Sequence, residues 1–472
     1  MEGTVEVTKR VPVVAEVDVL VAGAGIAGCC AAVAAARNGA RTMLVDRFGI
    51  LGGNVGPGMM SGGVVHLALG YPQAMMGGLK GIPGEFLNRC EGYADGQMGH
   101  QHLRDSQVAS YVWLRMMEEN RVRLLLNTYV ADPIMEGNRV VGVMVENKSG
   151  SQAILAGVVI DATADADVAM RAGAPVDEGE NYVHPGMHFT VAGVDTGRFM
   201  GWLRGEHRID PQDLAWAEEI FTRHFGSPVP RLNPLIPFYK RAWELGEYWI
   251  IKDIDGIASV SLDHGIPHSP NEYFGPRDGL VSTQVGLRGK GIRSGDQAMM
   301  SRLEAGSRLY IFETAQFLRR YVPGFEQSYL LVVSPYFHTR GGRGIVAEHA
   351  TTMEDMAVGR RFDDVIFVHY PDQRQPRVEG GADFPYRQLL PQKVEGLLCA
   401  GLSAILQPPS MRNRWKCLMM GQAAGLAAAM AARDGVTPRD IDIKELQRTL
   451  VHRYQAYLGD GERLRELGVA EA

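Results

Sequence analysis

Residues 16–53, EVDVLVAGAGIAGCCAAVAAARNGARTMLVDRFGILGG, decide the fold. An apolar strand is predicted to end at Ala22, and a GxGxxG turn follows it. A helix of small residues from Ala27 to Asn38 and a second apolar strand from Arg41 to Val45 complete a βαβ unit. Asp46 comes 23 residues after the first glycine, near the spacing of about 20 residues that is typical of an acid on a ribose hydroxyl. The stretch therefore predicts a dinucleotide-binding unit.

The glycines of the turn have separate predicted roles. Gly23 makes the tight turn, Gly25 lets the backbone approach a pyrophosphate, and Gly28 lets the helix pack on the sheet. Ile26 and Ala27 begin the helix, whose N-terminus offers free N–H groups and the positive end of a helix dipole. These five residues, with the acid after the second strand, are the first candidates for cofactor binding.

The sequence continues from the second strand into Gly52, Gly53 and Asn54. The pattern DxxVxGxGxAGxxAAxxAARxGAxxxLVxRxGxLGGN over residues 18–54 resembles FAD-dependent oxidoreductases of the glutathione-reductase type, with its two-dinucleotide-binding-domain FAD fold. More narrowly, it resembles their bacterial FAD-dependent oxidoreductase branch. The resemblance implies FAD as the cofactor and places the glycine pair over its ribityl and flavin end. Arg47 belongs to the same pattern and joins the predicted cofactor site.

Two middle segments carry further implied contacts. Val130 matches the family position whose backbone meets the adenine. DATADADV at 161–168 resembles the family's DATGDAD segment, where a strand returns to the FAD pyrophosphate. This match assigns Ala162 and Ala164 to the cofactor site, with alanine at 164 in place of the family's glycine. The acids of this segment, at 165 and 167, are interpreted as helix caps.

The cofactor site is completed near the end of the chain. Gly401 closes a strand over 396–401 and matches the position beside the FAD phosphate–ribityl region. Leu402 stands where the family often has an arginine. A last core helix is predicted over 410–432, and its N-terminus, with Arg412 and Asn413, is expected to point at the flavin.

The sequence predicts an α/β protein, with a Rossmann-like FAD-binding domain built on a parallel sheet and an inserted α+β substrate domain. No second strand–GxGxxG–helix unit occurs in the insert, so a dedicated NAD(P)H domain is not expected. The predicted parts are the first FAD-binding segment (1–179), the insert (180–383), the FAD-binding return segment (384–435) and a helical tail (436–472).

Catalytic candidates lie in two places. SPYFHTRGGRGI at 334–345 resembles the family's arginine segment, which faces the flavin. This makes His338, Arg340 and Arg343 candidates for proton transfer and substrate binding. The alternative for the arginines is pairing with carboxylates such as Glu348. The other candidate is His66, in the glycine- and methionine-rich connection after the first unit. The alternative for this histidine is a purely structural role.

Composition bounds the possible partners. The net charge of −6 and the pI of about 6.1 give no reason to expect nucleic acid. No run reaches 18 apolar residues, so no membrane span is expected, and no secretory signal is recognised at the N-terminus. Five cysteines without a CxxC motif indicate a reduced, cytoplasmic protein. No metal site is expected, because Pro185 and Gly186 interrupt the His184–His188 pair. A homo-oligomer is left open.

Three functions are consistent with these features. The first is an FAD-dependent oxidoreductase, a dehydrogenase or reductase that passes a hydride between a small organic substrate and flavin N5. The second is a flavoenzyme that uses FAD without net redox, for isomerisation, hydration or bond cleavage. The third is a non-catalytic FAD-binding or regulatory protein. The flavin spectrum during turnover distinguishes the first two.

Overall fold

The structure of the chain is a computed structural model. It describes residues 8–59, 78–93, 105–178, 184–225, 234–262, 278–335, 337–339, 341–370, 380–405 and 413–470.

Strands and helices alternate in the first part of the chain and separate into groups later. The strands are β1 (Val13–Ala22), β2 (Thr42–Val45), β3 (Arg123–Leu125), β4 (Tyr129–Glu136), β5 (Arg139–Asn147), β6 (Gly150–Asp161), β7 (Val176–Asp177), β8 (Pro185–Ala192), β9 (Ile251–Ile254), β10 (Ala258–Leu262), β11 (Val281–Arg288), β12 (Tyr329–Val333), β13 (His338–Thr339), β14 (Gly344–Ile345), β15 (Val365–His369), β16 (Ala382–Pro385) and β17 (Leu397–Cys399). The helices are α1 (Ile26–Arg37), α2 (Gly81–Gly92), α3 (Ser106–Glu119), α4 (Asp167–Arg171), α5 (Thr196–Leu203), α6 (Pro211–Phe225), α7 (Ile236–Glu244), α8 (Gln297–Tyr321), α9 (Met353–Ala357), α10 (Arg414–Asp434), α11 (Ile443–Arg448) and α12 (Gly461–Glu466).

The first sheet has the order β3-β2-β1-β6-β5-β4, with β17 also paired to β6. Strands β3, β2, β1, β6 and β17 run parallel, so their carboxyl ends meet at one edge. The strands β4 and β5 extend the sheet in antiparallel fashion. Gly137 and Asn138, a dipeptide typical of hairpin turns, connect them. Because ligands of open α/β sheets bind outside the carboxyl ends of the strands, this edge is the expected cofactor side.

The helices α1 and α10 pack against each other beside this sheet. A Cβ at Gly421 would overlap the carbonyl oxygen of Ala27, and one at Gly425 would overlap that of Ala31. The spacing of four residues between these glycines predicts close packing on the first helix or on the sheet. The structure shows that the partner is α1 and that the two helices approach to backbone contact. Equal steps along both helices meet in order, so the helices run parallel and their N-termini lie on the same side of the molecule.

The second sheet belongs to the insert and has the order β12-β8-β11-β10-β9, with β13 also paired to β8. One face of this sheet carries Met187, Phe189 and Val285, which pack in a second hydrophobic core with α8. This core draws its buried residues from Met187 to Phe325. The predicted α/β class, a Rossmann-like sheet joined to a second α+β body, is confirmed.

The domain boundaries stay a prediction. By packing, Ile345, Ala347 and Phe367 lie in the first core although they precede residue 383. The chain thus rejoins the first core well before the predicted end of the insert.

Three details differ from what the sequence predicts. The apolar pattern predicts a single strand from Val122 to Val130, but two strands form, because Asn127 takes a left-handed conformation (φ 51°) between them. The sequence predicts Ser106 as the N-cap of α3, but the N-cap is Asp105, whose carboxylate accepts from two backbone N–H groups. The pattern also predicts a helix over 440–457, whereas the helical residues are α11, capped by Asp442, and a π-helical turn over Thr449–Arg453.

The five cysteines are free and buried, as the sequence predicted. Burial raises the pKa of the adjacent thiols of Cys29 and Cys30, so both are held in the protonated form. A packing role follows for this pair. Within the described ranges, no helix combines the length and apolar character that crossing a bilayer requires.

Candidate functional site

The three glycines of the GxGxxG turn face different surroundings. A Cβ at Gly23 would overlap the carbonyl of Ala162, and one at Gly28 would overlap the carbonyl of Gly23. A Cβ at Gly25 would meet no atom within 4 Å. Gly25 is the N-cap of α1 and has no side chain to bond the first N–H groups of the helix. The middle glycine therefore faces open space at a positive helix end, which suits an anionic group.

The loop after β2 closes one side of this space. Gly52 pairs with Gly25 in an isolated bridge and donates to the carbonyl of Ala24 at 2.8 Å. A Cβ at Gly53 would lie 2.9 Å from the Gly25 α-carbon. The side-chain oxygen of Asn54 is buried without a hydrogen-bond partner among the described residues. A buried acceptor of this kind needs a donor, which a bound molecule can supply.

Asp46 links the end of β2 to the glycine turn. One carboxylate oxygen accepts from Ala24 N at 2.5 Å and the other from Phe48 N at 2.7 Å. Burial raises the pKa of Asp46, and these two N–H groups act in the opposite direction. Each oxygen retains a lone pair, so the carboxylate can still accept from a ribose hydroxyl. That role stays a prediction.

The segment after β6 is organised by Asp161. This fully buried carboxylate accepts from the backbone N–H groups of Val168 and Ala169 and from Thr163, and so caps α4. The predicted capping by the acids at 165 and 167 is wrong, because Asp161 already occupies the N–H groups of the first turn. Burial raises the pKa of Asp161.

Ser403 ties the same segment to the end of the chain. Its hydroxyl accepts from Ala164 N and Ala166 N and donates to Asp161. Ala164 and Ala166 have φ of 78° and 51°, in the left-handed region that favours glycine. The family's glycine at position 164 is therefore replaced by an alanine in the glycine conformation. Sequence inspection missed Ser403, since the contact spans more than 200 residues and has no local signal.

Gly401 and the N-terminus of α10 complete the edge. A Cβ at Gly401, whose φ is 69°, would lie 2.9 Å from the Ala27 Cβ. Gly421 lies opposite Ala27, and α10 begins seven residues before it, whereas α1 begins one residue before Ala27. The N-terminus of α10 thus projects about 9 Å beyond that of α1. Asn413 is its N-cap and makes no side-chain capping bond.

Two buried basic residues near this helix end were missed in the sequence. Lys416, in the first turn of α10, is fully buried and donates to the carbonyl of Tyr370 at 3.3 Å. His369 is also fully buried, and neither ring nitrogen has a hydrogen-bond partner among the described residues. Burial, with the charge of Lys416, holds the pKa of His369 well below its usual value. The imidazole is therefore neutral.

His338 lies on β13, which pairs with the start of β8 in the second sheet. Its ring stacks on that of His188, with centroids 4.9 Å apart and an interplanar angle of 17°. Both side chains are buried. Ser334, on the same segment, donates to the carbonyl of Pro57 at 2.9 Å. This hydrogen bond holds the histidine pair close to the loop that follows Gly52 and Gly53.

Arg343 is engaged with carboxylates. Its guanidinium donates to Asp167 at 2.6 Å and to the carbonyl of Asp165 at 2.7 Å, and Glu178 lies 3.8 Å away. Glu348, the partner considered from the sequence, pairs instead with Arg439. The side chain of Arg343 therefore joins the histidine segment to α4.

A family model described as FAD dependent oxidoreductase matches residues 18–450 of the 472-residue chain. The chain belongs to the FAD-dependent oxidoreductase family. Among solved structures, it is similar to a geranylgeranyl bacteriochlorophyll reductase-like protein from Thermoplasma acidophilum, with 12% identity over 93% of this chain and 84% of that chain and a TM-score of 0.41. It is similar to a flavoprotein/dehydrogenase from Cytophaga hutchinsonii, with 14% identity, coverages of 92% and 83% and a TM-score of 0.38.

FAD is the cofactor of this oxidoreductase family, and the described residues fit it. The open space at Gly25, the uncapped start of α1 and the unpartnered oxygen of Asn54 provide the features that a pyrophosphate and a polar ring system need. Among the same residues, no group of three or more histidines, cysteines and acids is arranged to hold a metal ion.

The remaining predicted positions of the oxidoreductase fall into two groups. The carbonyl of Val130 accepts from Arg171 at 3.2 Å, and Arg47 lies over the ring of Phe48 at 4.9 Å. Their contacts with the cofactor stay predictions. The other predicted positions lie outside the described residues: His66, Arg340 and Arg412.

Proposed function

We propose that this oxidoreductase passes a hydride between a small, polar organic substrate and FAD, and that His338 exchanges the accompanying proton. When bound, FAD supplies a hydride acceptor or donor at its N5 atom. The observation that carries the proposal is the buried His188–His338 pair, tied to the loop after Gly53 through the hydrogen bond from Ser334 to Pro57.

The stacked arrangement suits single-proton exchange. Two imidazolium rings with centroids 4.9 Å apart would repel each other strongly in a buried site. We therefore expect the two rings together to carry one exchangeable proton at a time. His188 orients the ring of His338 by stacking on it. Burial of both rings excludes the bulk water that would otherwise compete for the proton.

The sheet face around the pair supports a polar substrate. The register of β8, β11 and β10 places small and hydrogen-bonding residues on the face that carries His188, opposite the apolar face of the insert core. These residues are Gly186, Thr190, Ser259, Ser261, Ser282, Gln284 and Gly286. Such a face can bind hydroxyl, carbonyl or carboxylate groups, whereas a long hydrocarbon would leave it without hydrogen bonds.

Arg343 is better suited to positioning than to substrate binding. Its buried guanidinium already binds Asp167, and removing the arginine would leave that carboxylate without its partner. We therefore assign Arg343 to holding the histidine segment against α4. Arg340 stays a candidate for contacting a substrate anion.

A His338→Gln variant tests the proposal. A panel of hydroxy, amino and unsaturated compounds is first screened without oxygen for one that bleaches the flavin of the wild-type protein. The variant should keep its flavin content and reduce with that compound about 10²–10⁴ times more slowly. His349→Gln, at a histidine that packs on Phe362 outside the pair, is the matched control. An unchanged rate in the His338 variant contradicts the role.

The same screen tests the non-redox alternative. Turnover of a compound while the flavin spectrum stays oxidised would favour isomerisation, hydration or bond cleavage over hydride transfer.

A further inference from the structure

The second sheet ends at β12, which pairs with β8 on one side only. Among the described residues, no strand pairs with its other side. Residues 328–334, SYLLVVS, contain no charged residue and no proline. Monomeric proteins usually protect such an edge with a lysine, a proline, a β-bulge or a covering segment, because its free N–H and C=O groups can pair with another chain. Of these devices, the described part of β12 has only a register shift between Leu330 and Val332.

Apolar side chains surround this edge. On β12, Tyr329 is 57% exposed, Leu331 49% and Val332 38%. On the neighbouring helix α8, Leu309 is 65% exposed and Phe312 is 56% exposed. We call these five residues the edge patch.

The contacts of α8 show that its part of the edge patch lies beside β12. The helix runs antiparallel to the strand, since Arg308 donates to the carbonyl of Ser334 and Arg319 donates to that of Glu326. Phe312 lies in the helix row between these two arginines. Phe312 therefore lies on the side of α8 that carries these two arginines, level with the middle of β12, and Leu309 lies one turn before it.

We propose that the edge patch joins two copies of this chain, with β12 of each copy pairing antiparallel to β12 of the other about a twofold axis near Leu331. A twofold contact needs a surface that is complementary to itself, and two identical uncharged strands in antiparallel pairing meet that condition. The register shift between Leu330 and Val332 presents Leu331 at the centre of the edge.

The rim of the edge patch suits this arrangement. Arg198 pairs with Glu326 at one end of β12, and Arg308 pairs with Glu304 at the other. Antiparallel pairing brings the Arg198–Glu326 pair of one copy beside the Arg308–Glu304 pair of the other copy. Opposite charges of the two copies can therefore meet at both ends of the paired strands.

The area also fits two copies. Five side chains at these exposures leave on the order of 500 Å² of apolar surface in one place. With the strand backbone and the charged rim, this approaches the roughly 800 Å² that each partner buries in a standard interface. The dimer would also restrain the segment that follows β12, which holds Ser334 and His338.

Sedimentation velocity of the FAD-bound protein over a concentration series tests the dimer. The wild-type protein should sediment at twice its 51.6 kDa chain mass. Leu331→Arg, which places a charge on the edge, should shift it to a single chain. Leu245→Arg is the matched control, since Leu245 is 60% exposed at the end of α7, outside the edge patch. A monomeric wild type, or a dimer that Leu331→Arg leaves intact, overturns the proposal.

A second measurement applies if Leu331→Arg fails to fold. In Leu331→Cys, the two introduced thiols face each other across the twofold axis, and diamide should oxidise them to an intermolecular disulfide. The five native thiols are buried, so Leu245→Cys should stay single-chain on a non-reducing gel. Absence of the cross-linked dimer in Leu331→Cys contradicts the proposed pairing.

Discussion

At the scale of single residues, the glycines of the GxGxxG turn fall into two groups. Two are needed for the packing of the chain, and one leaves room for a ligand. Gly23 and Gly28 touch backbone of the protein itself, whereas Gly25 faces open space. We therefore expect a side chain at Gly25 to enter the volume of the cofactor and to leave the packing of the protein unchanged. A side chain at Gly28 would instead separate α1 from the turn.

Gly25→Val should give a folded protein without flavin. The unfolding midpoint of the apoprotein should stay close to that of wild-type apoprotein, while flavin absorbance is lost on purification. Gly28→Val is the control and should lose both stability and flavin. A Gly25→Val protein that purifies with full flavin content would show that the turn does not bind FAD.

Asp165 should make stability depend on pH. Burial raises the pKa of Asp165 to about 6, from 3.8 for an ordinary aspartate. The folded protein thus binds this proton more tightly than the unfolded chain does. The resulting stabilisation is full below the unfolded pKa and is lost as the pH rises through the folded pKa.

Asp165→Asn removes this titration. The free energy of unfolding of the variant apoprotein, relative to wild-type apoprotein, should rise between about pH 4 and about pH 7, by up to about 3 kcal/mol. Denaturant titrations at a series of pH values measure it. A difference that does not change with pH would mean that Asp165 titrates normally.

Residue roles carried by local sequence could be predicted, and those carried by distant contacts could not. The contrast among the three glycines follows from a motif within six positions. The bonds from Ser403 to Asp161 and the stacking of His188 on His338 join residues more than 100 positions apart. No periodicity or spacing in the sequence indicates such pairs, so they appear only once the chain is folded.

At the scale of elements, the site depends on the parallel packing of α1 and α10. Their N-termini point to the same edge, and the extra turns of α10 carry its positive end beyond that of α1. The spacing of Gly421 and Gly425 predicts close packing but does not distinguish α1 from the sheet as the partner. The interruption of the strand at Asn127 was missed, because a left-handed asparagine in an apolar run leaves the apolar strand pattern unchanged.

Gly421→Ala should weaken FAD binding through this packing. The added Cβ overlaps the Ala27 carbonyl at the start of α1, and overpacking of this kind costs about 1–3 kcal/mol. Gly435→Ala is the control, because it adds a Cβ in open space at the other end of α10 and costs about 1 kcal/mol through its left-handed φ. Flavin titration of both apoproteins should show weaker binding only in Gly421→Ala. Equal affinities would contradict a link between this helix contact and the cofactor.

At the scale of the whole molecule, the two hydrophobic cores support different parts of the proposed site. The first core builds the sheet edge at which we expect FAD to bind. The second core lies under a sheet whose other face is polar and carries His188, and Ser334 of the same segment as His338 bonds to Pro57. The chain has one dinucleotide fingerprint, and the insert provides a polar surface where a two-dinucleotide flavoenzyme would have a second. We therefore propose that the organic substrate exchanges electrons with FAD directly.

Anaerobic stopped-flow mixing of the oxidised FAD-bound protein with NADH and with NADPH tests this claim most directly. A nicotinamide nucleotide needs its own phosphate-binding helix end to bind tightly. Both nucleotides should therefore leave the flavin oxidised or bleach it only slowly, while a polar organic substrate from the panel bleaches it in the same instrument. Bleaching within milliseconds at micromolar NADH or NADPH would contradict the account.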